Sequence, residues 1–480
     1  MTTDYKDLRE WLKLVRNINQ LVEIENTTLD ELRVITLVNF KNKGPATLFR
    51  NVQGYGKYGV LTNFLNKNEH IAITFGLDPN LKLKDIVETL RDKNEEWLNK
   101  IKDYPPKFVN DGPIMQNIKS GDEVDLNIFP VPKWNILDGG PYIGTADAII
   151  TKDPETDWVN LGVYRSQLFN KNEVGLWIAP ARHGDILIKK YFEQNKPAPV
   201  VLVYGLDPLL FIAATEEVPY GISEYNYAGA VMGESVHVIK GLATGLPIPA
   251  NAEIAAEGYI EPNKLAHEGP FAEYPGHYSQ EGLSYRIKIV NLYYRNDAII
   301  TGMPPGKDLW GYFYYRSILR SSLIWNKLLK IGIPGIKGVW VPECGVSRVI
   351  VVVSIKQLYP GHAMQTAVLA SQIPEGFHHN KYVIVVDDDV DPYDIEDVLW
   401  AVSTRTDPKE DIDIIRRTQS TPLDPRIKRP TNDWTSSVAI IRAVRPFDWI
   451  TEFPKTAVEP EESRKKIFEK YKNLFNWTTY

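Results

Sequence analysis

The chain has 480 residues, 55 Lys and Arg against 61 Asp and Glu, and a formal net charge of -6. That length exceeds one ordinary core, so two or three domains are expected, and 43% hydrophobic residues can fill them. An acidic chain with no Lys/Arg block offers no long-range attraction to nucleic acid or anionic membrane, and one cysteine, Cys344, excludes an intrachain disulfide framework. In chain order, MTTDYKDLRE lacks the basic start and apolar run of a secretory signal, so a soluble, cytoplasmic protein is expected. Leu8, Trp11, Leu12 and Val15 then fall at helical spacing, and LVEIE (21–25) reads as a strand. Thr28 and Glu31 form a capping box ahead of Leu32, Ile35 and Val38. A second helical pattern through Ile86, Leu90, Trp97 and Ile101 ends at Pro105-Pro106. From about 118 to 300 the helical period largely vanishes, and runs such as NLGVYRSQLF, PVVLVYGL and YRIKIVNLYY predict a barrel or sandwich. The last third returns to α/β: RVIVVVSI and KYVIVVDDD read as buried strands, each followed by a helical stretch, and EPEESRKKIFEKYKNLF as a terminal helix.

Two local patterns imitate ligand loops. GYGKYG (54–59) satisfies G-x-G-x-x-G, but VLTNFL follows where a helix should open, so it reads as a turn between strands. DDDVDPYDIEDV (387–398) spaces Asp387, Asp389 and Asp391 like a calcium loop, yet Pro392 and Val398 occupy the glycine and bidentate-glutamate positions. A strand end and an acidic helix start capped by Asp394 is the expectation there.

HEGPFAEYPGH (267–277) gathers two histidines and two carboxylates between a Gly-Pro and a Pro-Gly pair, where neither a helix nor a flat strand is expected. Turns release side chains from strand alternation, so Glu268 and Glu273 can point into one pocket; a solvated acidic turn is the other reading. The β-rich region also holds Asn160 and Arg165 on one expected strand, His183 in APARHGD and Glu224 in ISEYNYAG. Asn, His and Glu present donors that suit a borderline or hard divalent ion with open positions. Singly, they read as a strand-end hydrogen bonder, a loop histidine and a solvated turn residue, and Arg165 as half of a plain ion pair. Asn160 and Arg165 are five apart, which on an ideal strand sends them to opposite faces, so a bulge or kink near Gly162 is expected.

Read together, NLGVYRSQ, ARHGD, SEYNYAGA, IAAEGYI, HEGPFAEYPGHYS, TGMPPGKD and VIVVDDDVDP resemble the UbiD family of reversible, non-oxidative decarboxylases, in the family's order and over nearly the whole chain. The resemblance implies an α+β multidomain fold: an N-terminal α/β domain (1–117), a central FMN-binding split β-barrel (118–310), and a C-terminal α/β domain with an oligomerisation role and the terminal helix (311–480). It implies prenylated FMN as cofactor, with Mn²⁺ or a similar divalent ion on Asn160, His183 and Glu224, and K⁺ as a further candidate. By the same resemblance Asn160, Leu161, Gly162, Val163, Tyr164, Arg165, Arg182, His183 and Glu224 bind the cofactor, and Lys356 in VVSIKQLYPGH meets its phosphate, an exposed strand-end lysine being the alternative. The family's Glu-Arg-Glu set falls on Glu268, Arg165 and Glu273. Arg165, ion-paired to Glu268, then positions the substrate carboxylate, and Glu273, free of that pair and raised in pKa, protonates the carbon that CO₂ leaves. Ala272 departs from a common Gly and His267 from a frequent Pro or Tyr, while His267 and His277 read as structural.

LDP (423–425) looks closest to the hydroxybenzoate decarboxylase branch, and the aromatic run from Trp310 to Tyr315 reads either as a wall for a flat substrate or as a buried amphipathic helix. The implied partners are a small aromatic acid, CO₂, a flavin prenyltransferase as cofactor supplier, and further copies in a homodimer or homohexamer. Alternatives left open are a catalytic or silent subunit of a multi-subunit aromatic carboxylase, a decarboxylase of an acrylic or heteroaromatic acid, a metal-dependent hydrolase, and a non-enzymatic flavin-binding module.

Overall fold

The structure, a computed structural model, describes residues 3–475 apart from 217, 375–378, 429, 430 and 432, and apart from the side chain of Trp310. The first helix forms at Leu8–Asn17, where the Asp7 side chain accepts the Glu10 N–H, and it buries Leu8, Trp11, Leu12 and Val15. The capping box starts Leu29–Lys41, but that helix packs through Leu32 and Thr36, while Val38 is exposed. The Thr36 hydroxyl donates to the Leu32 carbonyl and meets the Thr62 hydroxyl at 3.1 Å, so a satisfied polar group takes the place expected for an aliphatic one.

A four-stranded sheet runs Leu21–Glu25, Ala46–Arg50, Gly59–Thr62, Ile299–Thr301. Its last strand comes from the end of the β-rich region, and Lys107–Phe108 pairs with His237–Lys240, so hydrogen bonding crosses the boundary expected at 117 in both directions. GYGKYG is a turn between Ala46–Arg50 and Gly59–Thr62, which pair antiparallel.

The central sheet has nine strands, in the order Tyr142–Gly144, Ser166–Asn170, Glu173–Leu176, Gly282–Tyr294, Ile254–Glu268, Ala198–Tyr204, Asp147–Lys152, Val159–Gly162, with Asn117–Ser120 added beside Gly282–Tyr294. Chain connectivity forces it to curl. Gly144 and Asp147 lie on the first and seventh strands of that order, roughly 29 Å apart in a flat sheet, yet three residues reach only about 11 Å. Gly162 and Ser166, on the eighth and second strands, are four positions apart, a reach of about 14 Å. The result is a curled half-barrel whose edges approach at residues 145–146 and 163–165.

The last third forms a five-stranded sheet, Ile336–Trp340, Ile350–Ile355, Tyr382–Asp387, Thr435–Ala443, Ile412–Gln419, with a parallel centre and antiparallel edges. After Tyr382–Asp387 the Asp394 side chain caps Ile395–Arg405, and Arg405 holds Asp387 and Asp389 at 2.9 and 2.8 Å, so the acidic run is engaged in ion pairs. The terminal helix is Glu461–Phe475. Among the described residues no helix is long and apolar enough to cross a membrane.

Candidate active site

The half-barrel's mouth opens on a cavity of about 560 Å³, within the roughly 300–1,000 Å³ of small-molecule sites. Asn160 to Arg165, Arg182, His183, Glu224 and Glu273 all line it. The strand Val159–Gly162 ends before Val163, and 163–165 cross to the other edge, so the interruption expected near Gly162 is a strand end that lets Asn160 and Arg165 face one space. His183 opens the helix His183–Glu193 and Glu224 the helix Glu224–Met232, so neither stands in the loop or solvated turn that each suggested alone. Lys356 is not brought there: it is exposed, one residue past Ile350–Ile355, with its N–H on the Gly335 carbonyl.

Arg165 is the centre of the polar set. Its Nε donates to Glu268 Oε1 at 2.9 Å and its Nη2 to Glu268 Oε2 at 2.7 Å, a bidentate pair, while Nη1 bonds Glu273. Burial opposes the arginine's charge, but the two carboxylates more than offset it and raise its pKa. Trp177 and Phe271 flank the guanidinium, with ring centres 4.6 and 5.4 Å away. Glu268 is the last residue of Ile254–Glu268, still paired with Gly282, so this end of the segment is strand and not the turn its composition suggested. It lies behind Arg165, 1% exposed, and takes the Tyr142 O–H on Oε1 at 2.5 Å. Glu273 is not free of Arg165 as expected: both carboxylates share it. They differ in setting, because Glu273 is 13% exposed and faces the cavity, and burial raises its pKa against the opposing pull of Arg165. His267 is exposed beside Glu281 at 3.3 Å, and His277 is exposed.

Glu224 carries the second feature. It is 2% exposed, accepts the Leu161 N–H at 2.7 Å, and has no cation within ion-pair distance among the described residues, so burial pushes its pKa up to about 8. Asn160 is also buried. The His183 ring packs edge-on to Trp158 and Tyr220, at 5.2 and 5.5 Å between centres. A buried carboxylate lacking a counter-charge among the described residues, with an amide and an imidazole lining the same cavity, fits a divalent cation, and a cation with open positions fits a phosphate.

Several residues of the site had no motif to reveal them. Gln167 Oε1 accepts the Gly269 N–H at 3.1 Å. Asp138 accepts the Ala272 and Asn135 N–H groups at 3.0 and 2.7 Å, and Gly139 N–H donates to Pro270 at 2.7 Å. A Cβ on Gly139 would stand 1.9 Å from the Gly269 carbonyl oxygen. LDGGPY (137–142) was therefore a legible turn signal whose use was not. Asp147 lines the cavity, accepts the Ser166 hydroxyl at 3.2 Å, and is pushed up to about 8 by burial. Among the described side chains of the aromatic run only Phe313 lines the cavity; Tyr312 and Tyr315 are core residues, and the Trp310 side chain lies outside the described residues.

Family models match in the same order as these parts. The N-terminal, Rift-related and C-terminal domains of 3-octaprenyl-4-hydroxybenzoate carboxy-lyase match residues 12–90, 107–308 and 314–443. The closed form of the vanillic acid decarboxylase of Sedimentibacter hydroxybenzoicus is 30% identical over 99% of this chain and 100% of its own, with a TM-score of 0.80. The fold is shared with the UbiD-class enzyme HmfF of Pelotomaculum thermopropionicum, solved with FMN, at 23% identity over 96% and 99% of the two chains and a TM-score of 0.83. It is also shared with 3,4-dihydroxybenzoic acid decarboxylase of Enterobacter cloacae, at 23% identity over 97% and 100% and a TM-score of 0.81. The chain belongs to the UbiD family of carboxy-lyases.

Proposed function

We propose that this carboxy-lyase reversibly decarboxylates an aromatic acid of the hydroxybenzoate branch, using prenylated FMN held through Mn²⁺ or a similar divalent ion. Asn160, His183 and Glu224 would hold the metal, with K⁺ as a further ion; Arg182 and residues 160–165 would line the flavin. The parts would be 1–117, 118–310 around the flavin, and 311–480 with the contacts of a homodimer or homohexamer, and a flavin prenyltransferase would supply the cofactor. The observation that carries the reading is one buried arginine shared by two carboxylates of unlike exposure, beside a buried carboxylate that lacks a cation.

When bound, the flavin supplies the electron sink that a carbanion on an sp² carbon lacks. The chain's own residues do the rest. Three of the five N–H groups of Arg165 are engaged by Glu268 and Glu273, which leaves one each on Nη1 and Nη2 to grip the substrate carboxylate. Glu268, the deeper carboxylate, holds the guanidinium in that orientation, and Trp177 and Phe271 keep water from its faces. Protonated Glu273 gives its proton to the ring carbon as CO₂ departs, so the substrate exchanges CO₂ for H⁺ and Glu273 returns to the carboxylate that pairs with Arg165.

The test is coexpression with a flavin prenyltransferase, then an absorption spectrum and mass of the bound cofactor and an assay of hydroxybenzoates with and without high bicarbonate. His183→Ala and Glu224→Ala should lose metal and flavin together. Full flavin occupancy in both variants, or turnover without any flavin, would sink the reading, the latter in favour of metal-dependent hydrolysis.

A further inference from the structure

The last third of the chain brings to the cavity a guanidinium that no acid among the described residues balances. Arg348 lines the cavity, stacks on the Tyr274 ring at 4.7 Å, and among the described residues has no carboxylate within ion-pair distance. Burial first, and then the like charges of Arg320 and Arg316, press its pKa well below the ordinary arginine range. Arginine keeps its proton in proteins, so the charge remains and calls for an anion from outside the chain.

The support behind it is a built network. The Tyr274 hydroxyl is 2.5 Å from His379 Nδ1, and His379 Nε2 faces Asp424 Oδ2 at 3.5 Å. Asp424 takes Lys381 Nζ at 2.8 Å and the Ser420 hydroxyl at 3.0 Å. Burial works against its charge, yet the Lys381 bond keeps the Asp424 carboxyl below its usual range. A carboxylate opposite Nε2 places the ring proton there, so Nδ1 accepts the Tyr274 O–H. His379 stays neutral, pushed down to about 4 mainly by burial. The ring under Arg348 is thus pinned from behind, and Arg316, whose Nε donates to the Tyr315 hydroxyl at 3.1 Å, reaches the same cavity.

Under the proposed function two anions already have places: the departing carboxylate on Arg165, and the flavin phosphate on the ion at Asn160, His183 and Glu224, next to Arg182. Tyr274 directly follows Glu273, which sets Arg348 on the proton-donor side of the cavity. We propose that Arg348, with Arg316, forms a subsite for a second anionic group of the substrate, a carboxylate or a phosphate ester, distinct from the carboxylate lost at Arg165. The inference rests on the decarboxylase reading and narrows its substrate to an aromatic acid bearing such a group.

Calorimetry on the flavin-free chain should find isophthalate bound roughly 10-fold or more tightly than benzoate; Arg348→Met should erase the difference and Arg348→Lys keep part of it. In the flavin-loaded enzyme, kcat/KM for isophthalate relative to 3-hydroxybenzoate should fall roughly 10- to 100-fold in Arg348→Met. A parallel arm with 3-phosphonooxybenzoate tells a phosphate from a carboxylate. Equal binding of benzoate and isophthalate overturns the subsite, as does a kcat/KM ratio that Arg348→Met leaves unchanged. Loss of flavin from Arg348→Met with that ratio intact also overturns it, by assigning Arg348 to the cofactor phosphate. If no acid turns over, the decarboxylase reading fails, while the calorimetry still decides the subsite.

Discussion

Glu268 and Glu273 share one arginine, and what separates their roles is the space around each. Glu268 is enclosed by Arg165 and the Tyr142 hydroxyl; Glu273 opens on the cavity with a raised pKa, the setting that the proposed function asks of a proton donor. Glu273→Gln should keep flavin occupancy and lower turnover about 100- to 10,000-fold, measured as CO₂ release. Under the proposed function the protonated carboxyl is the donor, so the parental rate should fall as pH rises through its raised pKa. An unchanged rate in Glu273→Gln assigns the proton elsewhere. Asp147 makes a separate prediction. Its pKa of about 8 in the fold exceeds the roughly 3.9 of an unfolded aspartate, so the native state binds the extra proton between those values. That contribution to stability is complete below the unfolded pKa and is lost as pH rises through about 8. Asp147→Asn should therefore flatten the decline in Tm across roughly pH 4 to 8, read by calorimetric scans.

The segment that carries Glu268 and Glu273 is held at the scale of elements by a turn from elsewhere in the chain. Asp138 and Gly139 bind Ala272 and Pro270 through their side chain and backbone, and Gly139 packs against Gly269 too closely for any Cβ. Asp138→Ala leaves two N–H groups without an acceptor and should cost roughly 2–3 kcal/mol, seen in urea unfolding. Gly139→Ala should depress turnover more than stability, since it displaces the peptide just beyond Glu268. Equal turnover in Gly139→Ala and the parent would mean that this contact does not position the carboxylates. The turn itself was legible as Asp-Gly-Gly, and Thr28, Asp394 and the helix Leu8–Asn17 fell where caps and spacing put them, because those signals act within a few residues. Glu268 was misplaced into a turn since nothing local says that Gly282 pairs with it.

Across the whole molecule, the cavity draws on the half-barrel, on Phe313 and Arg316 beside it, and on Arg348, Thr421 and Leu423 of the last third. Any ligand filling it ties these parts together and binds the folded chain alone. Stripping metal and flavin with a chelator should therefore lower Tm in one step with the loss of absorbance. The change corresponds to about 2.7 kcal/mol when the free ligand stands at 100 times its Kd. A Tm insensitive to flavin loss would place the cofactor outside this cavity.

The amino-acid sequence by itself determined the helices with amphipathic spacing, the shift from α/β to β-rich and back, the dismissal of both decoy loops, and, through motif order, the family and the grouping of Arg165 with Glu268 and Glu273. These rest on period, capping and local composition, which short-range physics reads directly. Tertiary structure alone decided that strands 1 and 7 of the central sheet meet, that Lys356 stays outside while Arg348 enters, and that Glu273 shares Arg165 with Glu268. The Arg165 pairs join residues more than a hundred positions apart, and the other contacts are set by the closure of a curled sheet and the balance of buried charge, neither of which leaves a local pattern in the chain.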